Sequence, residues 1–323
     1  MGTLHAETLR RLENADLVAV AAVRPGRAAE VGKTLGVDAC TYDELFARSD
    51  IDAIVLAARS VDHGRLAVRI LESGKHLFLE KPGATTLAEH EALSAAGAAR
   101  PQQVVHVGYM RRYDDAFLDA YASVQRGDIG EPLVVVVTSR DMEWPEGEDP
   151  HDTGGFLLDM ASHDYDTACW FLGAEPVEVH AVRQARVYPE LRALGDLDNG
   201  VVTIRFDNDS LATTLVSRTS SFGHDIRCEV VGTDGSVFVR GPGDGRELVI
   251  SRRDAHRFPA DYRARFFDAY ERELRAFVDA CQGGDATYPT LADDRRAVAI
   301  GIAARAAAVD GEPKRVGVDW AWR

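Results

Sequence analysis

Two patterns of apolar positions alternate over the first hundred residues. Leu4, Thr8/Leu9 and Leu12 recur at helical spacing, and the run Leu17-Val18-Ala19-Val20-Ala21-Ala22 then reads as a buried strand. Helices are predicted over 28–35, closed by Gly36, and over 42–47, before a second buried strand, Ala53 to Ala58. A helix over 63–73 ends at Gly74, and a strand over 75–80 runs into Lys81-Pro82. Helix 87–98 and strand 104–108 complete the series. Strands alternating with helices of this length imply right-handed parallel crossovers and a doubly wound sheet.

Beyond about residue 125 the pattern changes. Strand-like runs over 133–139, 177–183, 200–206, 211–217, 226–231 and 236–239 follow one another, with Asn208-Asp209 and Asp234-Gly235 as turn signals. Helices over 154–172, 263–281 and 292–309 would cover one face of this predominantly antiparallel sheet. The expectation is therefore an α/β chain with two domains, 1–110 and 111–323, the second an α+β unit with an open-faced sheet; its final helix and tail are free to pack back on the first. Strands such as Leu133 to Val137 are apolar on both alternations, more than a solvated face needs. Symmetric pairing of two such faces predicts a homodimer or homotetramer, unless loops such as 184–199 fold over the sheet and keep the chain monomeric.

Composition narrows the partners. With 37 Lys+Arg against 52 Asp+Glu, the 323-residue chain carries a formal charge of −15, which disfavours nucleic acid and anionic membrane surfaces. No segment reaches the roughly 18 apolar residues of a membrane span, and the start lacks the pattern of a secretory signal, so a cytoplasmic protein is expected. Four scattered cysteines, Cys40, Cys169, Cys228 and Cys281, suggest reduced thiols, and the ten histidines show no metal-ligand spacing, so no metal site is expected.

The chemistry rests on Glu80-Lys81-Pro82 at a strand end and on Gly154-Gly155-Phe156-Leu157-Leu158-Asp159-Met160-Ala161-Ser162-His163-Asp164-Tyr165-Asp166. Ligands of open α/β sheets bind beyond the carboxyl ends of the strands, where Lys81 would project. Asp159 and His163, four apart on a predicted helix, share a face. An imidazole with an ordinary pKa near 6.5 suits a base near neutral pH, and an ammonium can polarise the oxygen that loses the proton. Taken singly, each has a plain structural reading: a solvated Glu-Lys pair, or an ordinary hydrogen-bonded His on a helix with an Asp one turn back.

Together with Val107-Gly108-Tyr109-Met110-Arg111-Arg112-Tyr113-Asp114, Trp170-Phe171-Leu172-Gly173, Gly130-Glu131-Pro132-Leu133 and the stretch from Ser217-Arg218 to Gly232, these motifs resemble the glucose-fructose oxidoreductase/inositol dehydrogenase (Gfo/Idh/MocA) family over nearly the whole chain. The motifs are most similar to those of the inositol 2-dehydrogenase branch. The resemblance implies a Rossmann-like domain carrying NAD or NADP, a second domain whose open sheet face serves oligomerisation, and a polyol or sugar between them. It places Lys81, Asp159 and His163 on catalytic positions: His163 takes the hydroxyl proton, Asp159 orients and charge-stabilises its ring, and Lys81 binds the same oxygen. It puts Arg111 or Arg112, and His224, against the polyol. Around the cofactor it places Gly2, Ala22, Arg24, Ala58, His63, Glu80 and Lys81.

Three departures accompany the resemblance. Met1-Gly2 aligns with the last glycine of the glycine-rich turn, so the nucleotide-binding unit is expected to lack its first strand and most of that turn, the given start lying at an internal Met. At the end of the next strand, where an acidic residue would meet the ribose of NAD, stands Ala22, with Arg24 as a candidate for a 2′-phosphate or a plain loop residue. A usual Thr-Pro-like pair is Ala58-Arg59. The leading expectation is an NAD(P)-dependent dehydrogenase acting on CH–OH of a cyclic polyol or sugar. The alternatives are a binding or scaffold protein of the same fold without cofactor, and a family chemistry such as imine or ene reduction or transient oxidation for elimination.

Overall fold

The computed structural model describes residues 1–144, 149–239 and 258–321. Its first third alternates as expected: α1 (Gly2–Leu9), β1 (Ala19–Ala21), α2 (Pro25–Leu35), β2 (Asp38–Cys40), α3 (Tyr42–Ala47), β3 (Ala53–Leu56), α4 (Ser60–Glu72), β4 (His76–Glu80), α5 (Leu87–Ala98) and β5 (Val105–Gly108). Every pairing here is parallel: β1 with β2, β3 with β4, and β4 with β5. Central β4 is apolar on both faces, and Leu77, Phe78 and Leu79 are fully buried, as a strand covered by helices on each side must be. The unpredicted β2 has no apolar run, because Asp38 and Ala39 are exposed and only its backbone pairing with β1 makes it a strand. The sheet is in two pieces. Strands β2-β1 form one and β3-β4-β5 the other, and among the described residues no ladder joins β1 to β3.

The second part contains a 3-10 turn (Met110–Tyr113), α6 (Asp115–Gln125), β6 (Pro132–Arg140), α7 (Pro150–Thr153), α8 (Phe156–Asp159), α9 (Ser162–Leu172), β7 (Pro176–Gln184), β8 (Asn199–Phe206), β9 (Leu211–Ser217), β10 (Asp225–Gly232), β11 (Ser236–Val239), α10 (Tyr262–Cys281), α11 (Leu291–Asp310) and β12 (Lys314–Arg315). Seven strands form one sheet in the order β11-β10-β6-β9-β8-β7-β12, antiparallel except for the β6–β9 pair. Strand β8 shows the expected alternation: Val202, Ile204 and Phe206 point into the core, and Val201, Thr203 and Arg205 point out. Helices α9 and α11 cover the inner face. The outer face keeps apolar residues in contact with solvent, with Leu211 and Phe238 each 47% exposed and Val182 53%.

The single helix expected over 154–172 is a correction. Gly154 and Gly155 both take positive φ, ending α7 and opening α8, and the chain bends again at Met160–Ala161 before α9. A Cβ at Gly154 would lie 2.8 Å from Leu158 and 3.1 Å from Thr85, so close packing as well as φ requires glycine there.

Helix α11 packs back on the first sheet, and a buried carboxylate fixes the contact. Asp294 accepts from the Tyr109 hydroxyl at 2.7 Å, the Gly83 amide at 3.0 Å and His90 Nε2 at 3.0 Å. Gly83 must be glycine, since a Cβ would come within 2.3 Å of the Asp294 carboxylate. Asp294→Ala leaves three buried donors unpaired and is expected to destabilise the fold by about 3 kcal/mol. Urea unfolding with an unchanged m-value would check this; a change under about 1 kcal/mol would show that the anchor is dispensable.

Candidate active site

The carboxyl end of β4 delivers Glu80 and Lys81 to opposite environments. Glu80, expected beside the cofactor, turns inward, and its carboxylate meets His5 Nε2 at 2.5 Å. Burial opposes its ionisation, but the bond to His5 and the charge of Lys81 hold its pKa below the usual carboxylate value. Lys81, joined to Pro82 by a cis peptide, points into the cleft between the sheets, where Nζ donates to the Asp159 carbonyl at 2.8 Å and to Asp159 Oδ1 at 2.9 Å. Burial disfavours the ammonium, yet Asp159, Glu80 and Asp141 outweigh it, and the Lys81 pKa is raised. His63, on α4, holds this corner in place: its ring nitrogens lie 2.8 Å from the Pro82 carbonyl and 3.1 Å from that of Ala58.

Asp159 serves Lys81, not His163. It ends α8 while His163 begins α9, so the expected Asp-His partnership gives way to an Asp-Lys one. The His163 ring packs edge-on to Tyr109, at 5.8 Å between centroids, and its buried Nδ1 has no hydrogen-bond partner. Burial, followed by the positive charges of Lys81 and Arg111 and the presence of His224, lowers the imidazole pKa well below the ordinary value. His163 is thus a neutral base beside a charged lysine.

Arg111 and Arg112 do not offer free guanidinium groups to a polyol, as one of them was expected to. Arg111 donates to Asp164 at 2.7 Å and to Ser139 at 2.9 Å, and Asp164 also accepts from the hydroxyls of Ser139 and Thr214. Arg112 grips Asp166 with two bonds of 3.0 and 2.5 Å and reaches Asp293 at 3.1 Å. These pairs lock α9, and with it His163, against the turn at 110–113. His224 does meet the cleft. Its Nδ1 lies 2.8 Å from Asp141 Oδ1, and its buried Nε2 has no partner. Sequence reasoning missed Asp141; it falls just after β6 and outside every motif, and its position depends on backbone bonds to Ser217 and Ser220.

The remaining expected residues line a cavity of about 1140 Å³ that reaches the carboxyl ends of β1 and β3. Gly2, Ala22, Arg24 and Ala58 border it, as do Arg59 and Arg263. Among the described residues no salt-bridge partner is recorded for Arg24, and no acidic side chain replaces Ala22. These residues lie at the ends of parallel strands, where a nicotinamide dinucleotide would be held in an open α/β sheet. No group of three metal-ligating side chains occurs among the described residues, and no described helix is long and apolar enough to cross a membrane.

Residues 1–109 match the family model described as "Oxidoreductase family, NAD-binding Rossmann fold", and residues 117–238 match the GFO/IDH/MocA C-terminal domain. The chain belongs to the Gfo/Idh/MocA oxidoreductase family. It is 32% identical to scyllo-inositol 2-dehydrogenase (NAD(+)) of Bacillus subtilis strain 168, across 100% of this chain and 95% of that one. Against myo-inositol 2-dehydrogenase of Thermotoga maritima it is 31% identical, across 94% and 92%. Among solved structures it superposes on Lactobacillus casei scyllo-inositol dehydrogenase with bound NAD(H) and scyllo-inositol, with a TM-score of 0.85, 25% identity and coverage of 98% and 96%. The two-domain architecture read from the chain is therefore the family's.

Glu273 of α10 lies fully buried behind this site. Burial first, and the Glu80 charge second, raise its pKa well above the carboxylate range, so the native state keeps a proton that the unfolded chain loses above about pH 4.3. Stability should consequently fall as pH rises from 5 to 8, and Glu273→Gln should flatten that slope. Urea midpoints of both proteins at the two pH values test this, and parallel curves would refute it.

Proposed function

We propose that the protein is an NAD(P)-dependent dehydrogenase that oxidises a secondary alcohol of a cyclic polyol of the inositol type. The observation that carries this reading is a charged Lys81 beside a neutral His163 whose Nδ1 is buried without a partner. Lys81 has three N–H donors; two go to Asp159, and the third is left for a substrate oxygen. Contact with the ammonium makes that hydroxyl more acidic, and His163 takes its proton. A nicotinamide dinucleotide, when bound, supplies the acceptor for the hydride that leaves the same carbon. Asp159 keeps Lys81 charged and directed, so it is a positioning residue. His224 Nε2, buried without a partner, is placed to meet a neighbouring hydroxyl, which suits a polyol better than a simple alcohol.

The relatives' names support the substrate class, and the motif likeness to inositol 2-dehydrogenases agrees. For the cofactor, the family's NAD-binding fold supports NAD, while Ala22 with Arg24 leaves NADP to direct comparison.

Lys81→Ala and His163→Ala are each expected to lower kcat at least about 100-fold for myo- or scyllo-inositol, with circular dichroism unchanged. Activity within threefold of wild type in either variant would sink the assigned roles. Because the His163 pKa lies below its ordinary value, the base stays competent as pH falls past about 6.5, and the acid limb of kcat/KM should lie below that point. A limb at or above 6.5 would contradict a neutral, buried base.

The open face of the second sheet supports assembly. Val134, Val136, Leu211, Leu215, Val182 and Phe238 share one side of it, with Leu211, Val182 and Phe238 exposed. Two such faces would bury one another across a two-fold axis. Light scattering at micromolar concentration should return two or four times the 35.2 kDa chain mass. A single species at the chain mass would refute the pairing.

A further inference from the structure

The segment 152–159 is tied to the first domain by two ion pairs of different character. The inner one is Lys81–Asp159, whose side chains are 15% and 34% exposed. The outer one joins Arg59 to Asp152, Nη1 donating to Oδ1 at 2.9 Å, with side chains 53% and 43% exposed. Arg59 and Lys81 follow the neighbouring parallel strands β3 and β4, so both ties are made at the carboxyl end of the same sheet.

Arg59 is aimed by its own helix. It is the N-cap residue of α4, and its Nε and Nη2 both donate to Asp62 Oδ2 in the first turn, at 3.1 and 2.9 Å. Arg65 holds the other Asp62 oxygen at 3.1 Å. This fork fixes the guanidinium plane and leaves Nη1 to reach across to α7. Arg59 also borders two spaces: the cavity of about 1140 Å³, and a second of about 500 Å³ that Ala22, Cys40 and Tyr42 help to line. Its bond to Asp152 therefore runs from the rim of the first cavity to the second domain.

The chain just beyond Asp152 is anchored independently. The Gly154 carbonyl accepts from Arg305, and the Phe156 amide donates to Asp196 at 3.0 Å. Bonds within α7 are local, from the His151 amide to Asp149 and from the Thr153 hydroxyl to the Pro150 carbonyl. Parting Arg59 from Asp152 thus leaves the turn at Gly154 and the Lys81–Asp159 pair in place. An exposed ion pair is weak and readily exchanged for water, whereas a buried pair is costly to break.

We infer that, in the dinucleotide-binding role proposed above, Arg59 and Asp152 form a latch at the rim of the nucleotide cavity that holds α7 against the first domain and parts to let the cofactor leave. The exposed tie serves retention, and the buried tie serves chemistry. Asp152 separates a latch from a plain charge effect. A carboxylate at the rim repels an anionic dinucleotide, so removing its charge would by electrostatics alone slow release. Loss of a latch speeds it.

The test is stopped-flow release of NADH, followed by its fluorescence on mixing the complex with excess NAD+, in wild type, Asp152→Asn, Arg59→Gln and the double variant; NADPH and NADP+ replace them if that form is the one bound. Both side chains are exposed, and circular dichroism verifies that the fold is kept. Asp152→Asn should release the cofactor about three- to fivefold faster, the scale that an exposed pair supplies. Added to Arg59→Gln it should give no further acceleration, because the partner is already gone. Release that is unchanged or slower in Asp152→Asn, or accelerations that multiply in the double variant, would overturn the latch while leaving cofactor binding intact. A folded wild-type chain that binds neither NADH nor NADPH would overturn the dinucleotide reading and the latch together.

Discussion

The site depends on keeping an ammonium charged at the end of a buried strand. Lys81 sits where water is largely excluded, and burial alone would lower its pKa. Asp159 prevents this with two contacts that a single residue supplies, one from its carboxylate and one from its carbonyl. Because Asp159 comes from α8 and Lys81 directly follows β4, the pair also joins the two halves of the molecule across the cleft. The supports around it have the same directionality: His63 holds the Pro82 carbonyl from α4, Asp294 holds the Gly83 amide from α11, and Arg305 donates to the Gly154 carbonyl ahead of α8. Each ties a loop beside the ion pair to a rigid helix, which is what a reacting geometry requires.

Much of this was legible in the chain. The alternation of strands and helices in residues 1–108 and the antiparallel runs after 130 follow from periodicity, most clearly where apolar burial holds the element, as in β3, β4 and α4 and less so in the half-buried β1. Elements held by backbone pairing alone were not legible: β2 is exposed, and β12 has only two residues. Helix α6 was missed as well, although Asp114 caps it by accepting from the Phe117 amide. The break between α8 and α9 was hidden for another reason. Gly154-Gly155 was read as the start of one helix, whereas both take positive φ and Gly154 is packed against Thr85, remote in the chain, and Leu158, which follows it.

The candidate residues themselves divide in the same way. Lys81, Asp159, His163 and His224 gather in one region, as the motifs implied, but what each one touches was not deducible from spacing. A four-residue interval puts Asp159 and His163 on one face only if the helix is continuous, and here it is not. Arg111 or Arg112 was placed against the substrate by the family resemblance. Asp164 and Asp166, two residues apart on α9, take them instead, and the motif contained both partners all along.

The pairing of Asp159 with Lys81 has an electrostatic consequence for the base. Had Asp159 faced His163, its negative charge would favour the imidazolium and raise the pKa, giving a stronger base that is already protonated over part of the neutral range. With Asp159 committed to Lys81, His163 lies among Lys81, Arg111 and His224 in a buried setting, and all of these act in the same direction. The imidazole becomes a weaker base but is always available. A weak base can still deprotonate an alcohol if the alcohol is made acidic, and the free donor of Lys81 acts on that oxygen. One ion pair thereby sets both protonation states: it keeps the lysine charged, and it withholds from the histidine the carboxylate that would have charged it.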